Sequence, residues 1–373
     1  MAEKDDLPEP DRTEGAPHPR ETVELYGQER AERAFLDALA SGRVHHGWLL
    51  AGPRGVGKAT LAYRIARAMI SWQDDGLFGS GPPETLRMDP EDAVFRRIAA
   101  QGESRLRVLR RAANEKTGRL ATVITVDEVR KVKEFLQLSV PDGGWRVIIV
   151  DAAEEMNTSA ANAILKLLEE PPEKTLLLLV SHAPRRLLPT IRSRVRVLDC
   201  AELGPEDLAR ALAATGAEPP RDMAALSQLS GGSVGEALRL MAVDGLDLYA
   251  RLVGLFSPSG LDRPSMIALA QSASGRDAEP RYDALLRLVQ MLAARLARAG
   301  ATGTPPAEAA KGEAALAGAV AATPGQARLW AEAASRAAAS TSHMRSVNLD
   351  PAQVILDTLL DLDAVLRQAR SAA

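Results

Sequence analysis

Residues Gly52 to Thr60 read Gly-Pro-Arg-Gly-Val-Gly-Lys-Ala-Thr. The pattern G-x-x-x-x-G-K-[ST] wraps phosphates in backbone N–H groups, sets a lysine on the β/γ oxygens and presents a hydroxyl to Mg²⁺. Gly52, Gly57 and Lys58 satisfy it, with Pro53, Arg54, Gly55 and Val56 as the intervening loop. The hydroxyl position holds Ala59. Thr60 follows, but one residue along a helix is a rotation of about 100°, which points its hydroxyl away from the metal. The residues predict a phosphate cradle that keeps its lysine and lacks one group of its metal chemistry.

Two further positions carry chemistry. Asp151 ends the apolar run Arg146–Val150 (RVIIV), where a second acid would hold Mg²⁺ through water; as a helix N-cap it would serve equally well, and the two roles are compatible. A glutamate that orients the attacking water is usual immediately after this acid. Here Ala152 and Ala153 follow, and Glu154 comes several ångströms further along, where catalysis tolerates about 1 Å of error. Arg192, Arg194 and Arg196 alternate as a strand begins. An arginine on such an edge can reach a neighbouring subunit's γ-phosphate and raise its hydrolysis roughly 10³–10⁵-fold; by spacing alone, surface charge on an exposed strand end is the more economical reading. His45-His46 has no further metal ligand near it in sequence and reads as a polar turn.

The elements around these residues fit the chemistry. Trp48–Ala51 before the loop reads as a buried strand, and Leu61, Ile65, Ala68 and Met69 after it recur at helical spacing, the strand–loop–helix context that the motif requires. A helix is expected over Gln28–Ala40. Strands are expected at Thr122–Val126, Arg146–Val150, Leu176–Val180 and Val195–Leu198. Helices are expected from an Asp127 N-cap to Leu138, with a turn at Pro141–Gly144, and over residues 159–170 up to Pro171-Pro172. Continuous apolar strands alternating with helices predict a parallel sheet covered on both faces, with ligands at the carboxyl ends of its strands. Residues 72–121 read as an irregular insertion with a loop at Gly79, Gly81, Pro82 and Pro83. Its arginines 105, 107, 110 and 111 are expected on a helix, more often as a solvated face than as a nucleic-acid or partner contact. From Ala201 to Ala373 the pattern is helical.

The chain has 373 residues, a net charge of −3, 3% aromatic residues and one cysteine, Cys200. There is no global basic footprint for nucleic acid, which leaves room for a local basic patch, and the low aromatic content argues against a platform for unpaired bases. One cysteine builds neither a disulfide framework nor a multi-cysteine zinc site, and Cys200 reads as a small apolar residue at a strand end. No signal peptide or membrane-spanning run is visible, so the cytoplasm is the expected compartment and no membrane is expected as a partner.

Residues 45–67, 146–172, 187–197 and 229–240 together resemble bacterial clamp-loader AAA+ subunits, over about half the chain; the run Asn162–Pro172 (NAILKLLEEPP) is specific to that group. The resemblance implies an α/β P-loop NTPase core with a parallel sheet at 22–200, a helical lid at 201–242 and an all-α C-terminal collar at 246–373, after a disordered tail at 1–21. It makes Arg194, within Ser193-Arg194-Val195, the arginine finger acting in trans. It puts the first sensor near Ser181 and shows the second sensor's arginine replaced by Gly235. ATP or ADP would bind weakly or at a vestigial site, with adenine near Leu25 and Tyr26, and no zinc module is expected because residues 72–121 contain no cysteine. The implied partners are the tau/gamma and delta subunits, with the sliding clamp and primed DNA reached through the complex. Ala59, Ala152 and Gly235 each weaken hydrolysis while Arg194 is kept, which is the description of a fixed stator. An active tau/gamma-type ATPase and a small-molecule P-loop kinase are the competing readings.

Overall fold

A computed structural model describes residues 9–371 apart from 43, 73–80, 114–119, 138–142, 258–259, 276–277 and 345–349. Two compact units divide the chain after Gly216.

The first unit is built on five parallel strands in the order β2-β3-β4-β1-β5. They are β1 (Gly47–Ala51), β2 (Leu106–Leu109), β3 (Arg146–Val150), β4 (Thr175–Ser181) and β5 (Arg196–Asp199). Successive side chains of a strand point to opposite faces. Trp48, Leu50, Val147, Ile149, Leu176 and Leu178 accordingly enter one core, and Leu49, Ala51, Ile148, Val150, Leu177 and Leu179 the other. Helices α1 (Glu29–Ala40), α2 (Lys58–Ser71) and α3 (Ala93–Ala99) cover the first face, and α4 (Val126–Gln137) and α5 (Thr158–Glu169) the second. Two covered faces are why these strands read as continuous apolar runs. A short helix α6 (Pro189–Arg192) precedes β5, and α7 (Pro205–Ala214) closes the unit. This is the α/β P-loop NTPase (AAA+) architecture that the sequence implies.

Several expectations are corrected. The segment Thr122–Val126 is not a strand: only Ile124 is buried, in an isolated bridge to Met156, while Val123 is 38% exposed. Val126 already opens α4, so Asp127 lies in its first turn instead of capping it. The edge strand comes from the segment taken as an irregular insertion, and Arg107 stands on β2, with Arg105 just before it and Arg110 and Arg111 just after it, instead of on a helix. Four residues are too few for periodicity to separate strand from helix; pairing with β3 decides. Gly79, Leu138, Pro141 and Asp142 fall outside the described residues.

A further correction concerns the expected disordered tail. Residues 1–8 are outside the described part, but Glu9 to Glu21 are folded onto the sheet unit. Arg110 binds Glu9 at 2.5 Å and Asp11 at 2.6 Å. Arg20 binds Glu9 at 2.9 Å, and the buried His18 lies 3.2 Å from Asp11 and edge-on to Tyr63. Arg67 on α2 holds the carbonyls of Arg20 and Thr22. A polar composition suggests disorder when charges stay solvated; here they pair with charges far along the chain.

The second unit is helical: α8 (Met223–Ser230), α9 (Val234–Ala242), α10 (Gly245–Leu255), α11 (Arg263–Ser272), α12 (Glu279–Thr302), α13 (Glu313–Val320), α14 (Pro324–Met344) and α15 (Pro351–Ser371). One two-residue antiparallel pairing, β6 (Phe256–Ser257) with β7 (Gly260–Leu261), interrupts the helical pattern. Glu313 is fully buried and ties the unit together. It accepts from Tyr249 Oη at 2.8 Å, Arg295 Nε at 2.5 Å and the Ala309 N–H at 2.9 Å. Among the described residues, no helix is long and apolar enough to cross a membrane.

Candidate functional site

The phosphate loop leaves β1 at Ala51 and enters α2 at Lys58. Its glycines are dictated by space. A Cβ on Gly52 would lie 2.1 Å from the Cys200 carbonyl oxygen, and Gly57, at φ 99°, would press one into Leu25. Gly57 is the N-cap of α2 in the left-handed region, which glycine reaches without strain. The loop is clamped from below by Gln28. Its amide donates to the Val56 carbonyl at 3.0 Å and the Ala201 carbonyl at 2.9 Å, and accepts from the Ala201 N–H at 3.0 Å. Leu25 lies against the loop at Gly57, and Tyr26 sits under the Arg210 guanidinium at 4.8 Å.

Lys58 is buried and its ammonium donates to the Pro53 carbonyl. Burial pushes its pKa down, while Glu154 and Asp151 favour the charged form. Pro53, Arg54 and Gly55 are exposed, Val56 is buried, and Ala59 and Thr60 are half-buried in the first turn of α2. Cys200 follows β5 and packs under Gly52; burial pushes its thiol up to about 11. It behaves as the small apolar residue expected there.

Asp151 stands at the end of β3, where the sequence reading put it. Burial raises its carboxyl to about 6, with the Asp11 charge adding to the rise and Arg110 opposing it. Ala152 follows at φ 57°, ψ 63°, a left-handed conformation unusual for a residue with a Cβ. This turn swings Glu154 toward the end of β4. Glu154 Oε1 accepts from the backbone N–H groups of His182 at 3.0 Å and Ala183 at 3.2 Å, and lies 2.9 Å from His182 Nδ1. Burial would raise this carboxyl, but those donors and the Ser181 hydroxyl outweigh it and hold it at about 2. Ser181, fully buried, also accepts from the Ala183 N–H at 3.2 Å. One carboxylate thus joins the loop after Asp151 to the end of β4. Its second oxygen, Oε2, is buried without a hydrogen-bond partner.

The three arginines separate. Arg192 ends α6, Arg196 begins β5 and lies over Trp48 at 5.2 Å, and Arg194 stands in the connection between them. Arg194 is therefore presented by a turn, not by the strand as expected, because β5 starts one residue later than Val195. Its Nη1 donates to the Thr190 carbonyl at 3.1 Å and Ser193 Oγ at 3.4 Å, and its Nη2 lies 2.9 Å from Glu169 Oε1. His45 and His46 act as turn residues. The first caps the Gly47 N–H at 3.1 Å, and His46 Nε2 lies 2.8 Å from the Leu168 carbonyl. Gly235 is buried in the first turn of α9, whose cap is Ser233.

Sequence reasoning missed Gln28, the role of Glu154, and Asp11 with Arg110. Gln28 had a local signal, a polar residue opening an apolar-faced helix; the others depend on residues far away in the chain.

A family model described as "DNA polymerase III, delta subunit" matches residues 27–204. The Pseudomonas aeruginosa DNA polymerase III subunit delta-prime is 38% identical over 214 residues, 56% of this chain and 60% of that protein. The Escherichia coli subunit delta-prime is 32% identical over 214 residues, 56% and 58% of the two chains. The Mycobacterium tuberculosis subunit gamma/tau is 32% identical over 176 residues, 47% of this chain and 28% of its own length. The match thus spans less than two thirds of each relative.

Proposed function

We propose that the chain, which resembles the DNA polymerase III subunits delta-prime and gamma/tau over about half its length, serves as the delta-prime-type stator of a clamp loader. In this reading it assembles with tau/gamma and delta subunits and lends Arg194 to a neighbour's ATP site, so that the sliding clamp is placed on primed DNA. It works in the cytoplasm. The observation that carries the reading is the contrast within one chain. The site at Lys58 has Ala59 where the metal hydroxyl belongs and a left-handed Ala152 where the water-orienting glutamate belongs, with Glu154 committed to β4. Arg194, by contrast, is presented on a turn with its side chain 40% exposed.

Catalysis of phosphoryl transfer is mostly positioning and charge stabilisation. A site without those groups can bind a nucleotide through the loop amides and Lys58 while hydrolysing it slowly. ADP or ATP held without strong metal dependence is the expected occupancy. An arginine supplied across an interface needs none of its own site's chemistry.

The test is ATP hydrolysis by the chain alone and mixed with tau/gamma and delta subunits, with wild type and Arg194→Ala in parallel. Silence alone, activity in the mixture and a severalfold or greater loss with the variant support the stator. The 32% identity to gamma/tau favours a second reading, an active motor. Turnover by the chain alone, indifferent to Arg194, would select it.

A further inference from the structure

We propose that Glu169 is the positioning residue for the Arg194 guanidinium; the inference rests on the reading of Arg194 as a residue offered to a neighbouring site. Arg194 has two local partners, the Thr190 carbonyl and Ser193 Oγ, and both take the same nitrogen, Nη1. A planar group held at one nitrogen still swings. Glu169 Oε1, 25 residues earlier in the chain, lies 2.9 Å from Nη2 and supplies the second point that fixes the plane.

Two features mark this carboxylate as placed for the arginine. Glu169 is the last residue of α5, where negative charge opposes the helix dipole, so helix stability does not favour it there. Both partners are also half-open to solvent, 40% for the Arg194 side chain and 42% for Glu169, so the pair is not a buried bolt. A guanidinium has five N–H donors. The three contacts leave donors for an incoming anion, on a group whose direction is already set. A long flexible side chain that must be ordered at the moment of reaction costs rate; one already oriented does not.

The assembled loader, with tau/gamma and delta subunits, is assayed for DNA-stimulated ATP hydrolysis with wild type, Arg194→Ala, Glu169→Ala, Glu169→Gln and the double variant Glu169→Ala/Arg194→Ala. Gel filtration checks assembly, and Glu169→Gln carries the test if Glu169→Ala fails to assemble. Glu169→Ala is expected to lower kcat about 3–5-fold with KM for ATP unchanged, the pattern of an interaction felt only in the transition state. Glu169→Gln keeps an accepting oxygen and should lose less. The double variant should be no slower than Arg194→Ala alone.

Wild-type kcat in Glu169→Ala while Arg194→Ala is slow would overturn the positioning role and leave the finger intact. A faster Glu169→Ala would show that the carboxylate restrains the arginine, which also overturns it. Additive losses in the double variant would mean Glu169 acts through something other than Arg194. An unchanged Arg194→Ala would remove the finger reading itself, and the positioning role with it.

Discussion

Replacing Glu154 isolates what one carboxylate contributes where the Asp151 loop meets β4. Its Oε1 takes the N–H groups of His182 and Ala183 and faces the His182 ring. Burial opposes its ionisation, yet the donors hold the carboxyl at about 2 against an ordinary 4.5. The pKa is depressed on folding, so the stabilisation is present above pH 4.5 and is lost as pH falls through 4.5 toward 2. The whole difference is worth about 3 kcal/mol, and about 2 kcal/mol of it is gone by pH 3. At pH 7, Glu154→Ala removes the acceptor of the His182 N–H and leaves the Ala183 N–H to Ser181 Oγ alone, and should cost about 2–3 kcal/mol. Glu154→Gln keeps an accepting oxygen without the charge and should cost about 1 kcal/mol. Urea unfolding followed by far-UV circular dichroism from pH 7 to pH 3 reads both effects. In the variants, stability should fall less toward pH 3 than in wild type, by about 2 kcal/mol. An acid limb in Glu154→Gln as steep as the wild type's would refute the assignment of that limb to Glu154.

Under the stator proposal, Lys58→Ala is expected to leave assembly and clamp loading near wild type, because Ala59 stands where a metal-binding hydroxyl would be; a severe loading defect in a well-assembled complex would show the nucleotide site at work. Glu313→Ala strands the buried Arg295 together with Tyr249 Oη and the Ala309 N–H, and should cost about 3–5 kcal/mol in thermal or urea unfolding; a loss below about 1 kcal/mol would show that water or rearrangement replaces the network. Arg110→Ala removes the long-range partner that Glu9 and Asp11 share, leaving them Arg20 and His18. Trypsin should then cut after Arg12 or Arg20 several times faster while the sheet unit stays folded, and an unchanged cleavage rate would show that His18 and Arg67 hold the segment without it.

Most of the sheet was legible because burial on both faces leaves a plain record, a run of apolar residues with glycine or proline at its ends. Thr122–Val126 misled because β-branched composition says only that a residue suits a pleated, half-buried surface; it does not say that a neighbour is present to pair with. Leu106–Leu109 went unread for the opposite reason. An edge strand is short and carries a charge, Arg107, among its apolar residues. The N-terminal segment misled because charge composition predicts solvation, and the partners of Glu9 and Asp11 lie about a hundred residues away.

The site divides in the same way. Gly52, Gly57, Lys58, Ala59 and Asp151 were legible in the sequence alone, since a glycine-rich loop at a helix start is a local object formed by consecutive residues. The resemblance of Ser193-Arg194 to a finger was also local. Tertiary structure decided what surrounds them: Gln28 clamping the loop to Ala201, Glu154 turned onto His182 and Ala183, and Glu169 holding Arg194. These contacts join residues that are 25 to 173 positions apart. No spacing rule encodes them, because the distance between such residues is set by how helices and strands stack, and only the folded chain brings the charges within reach of one another.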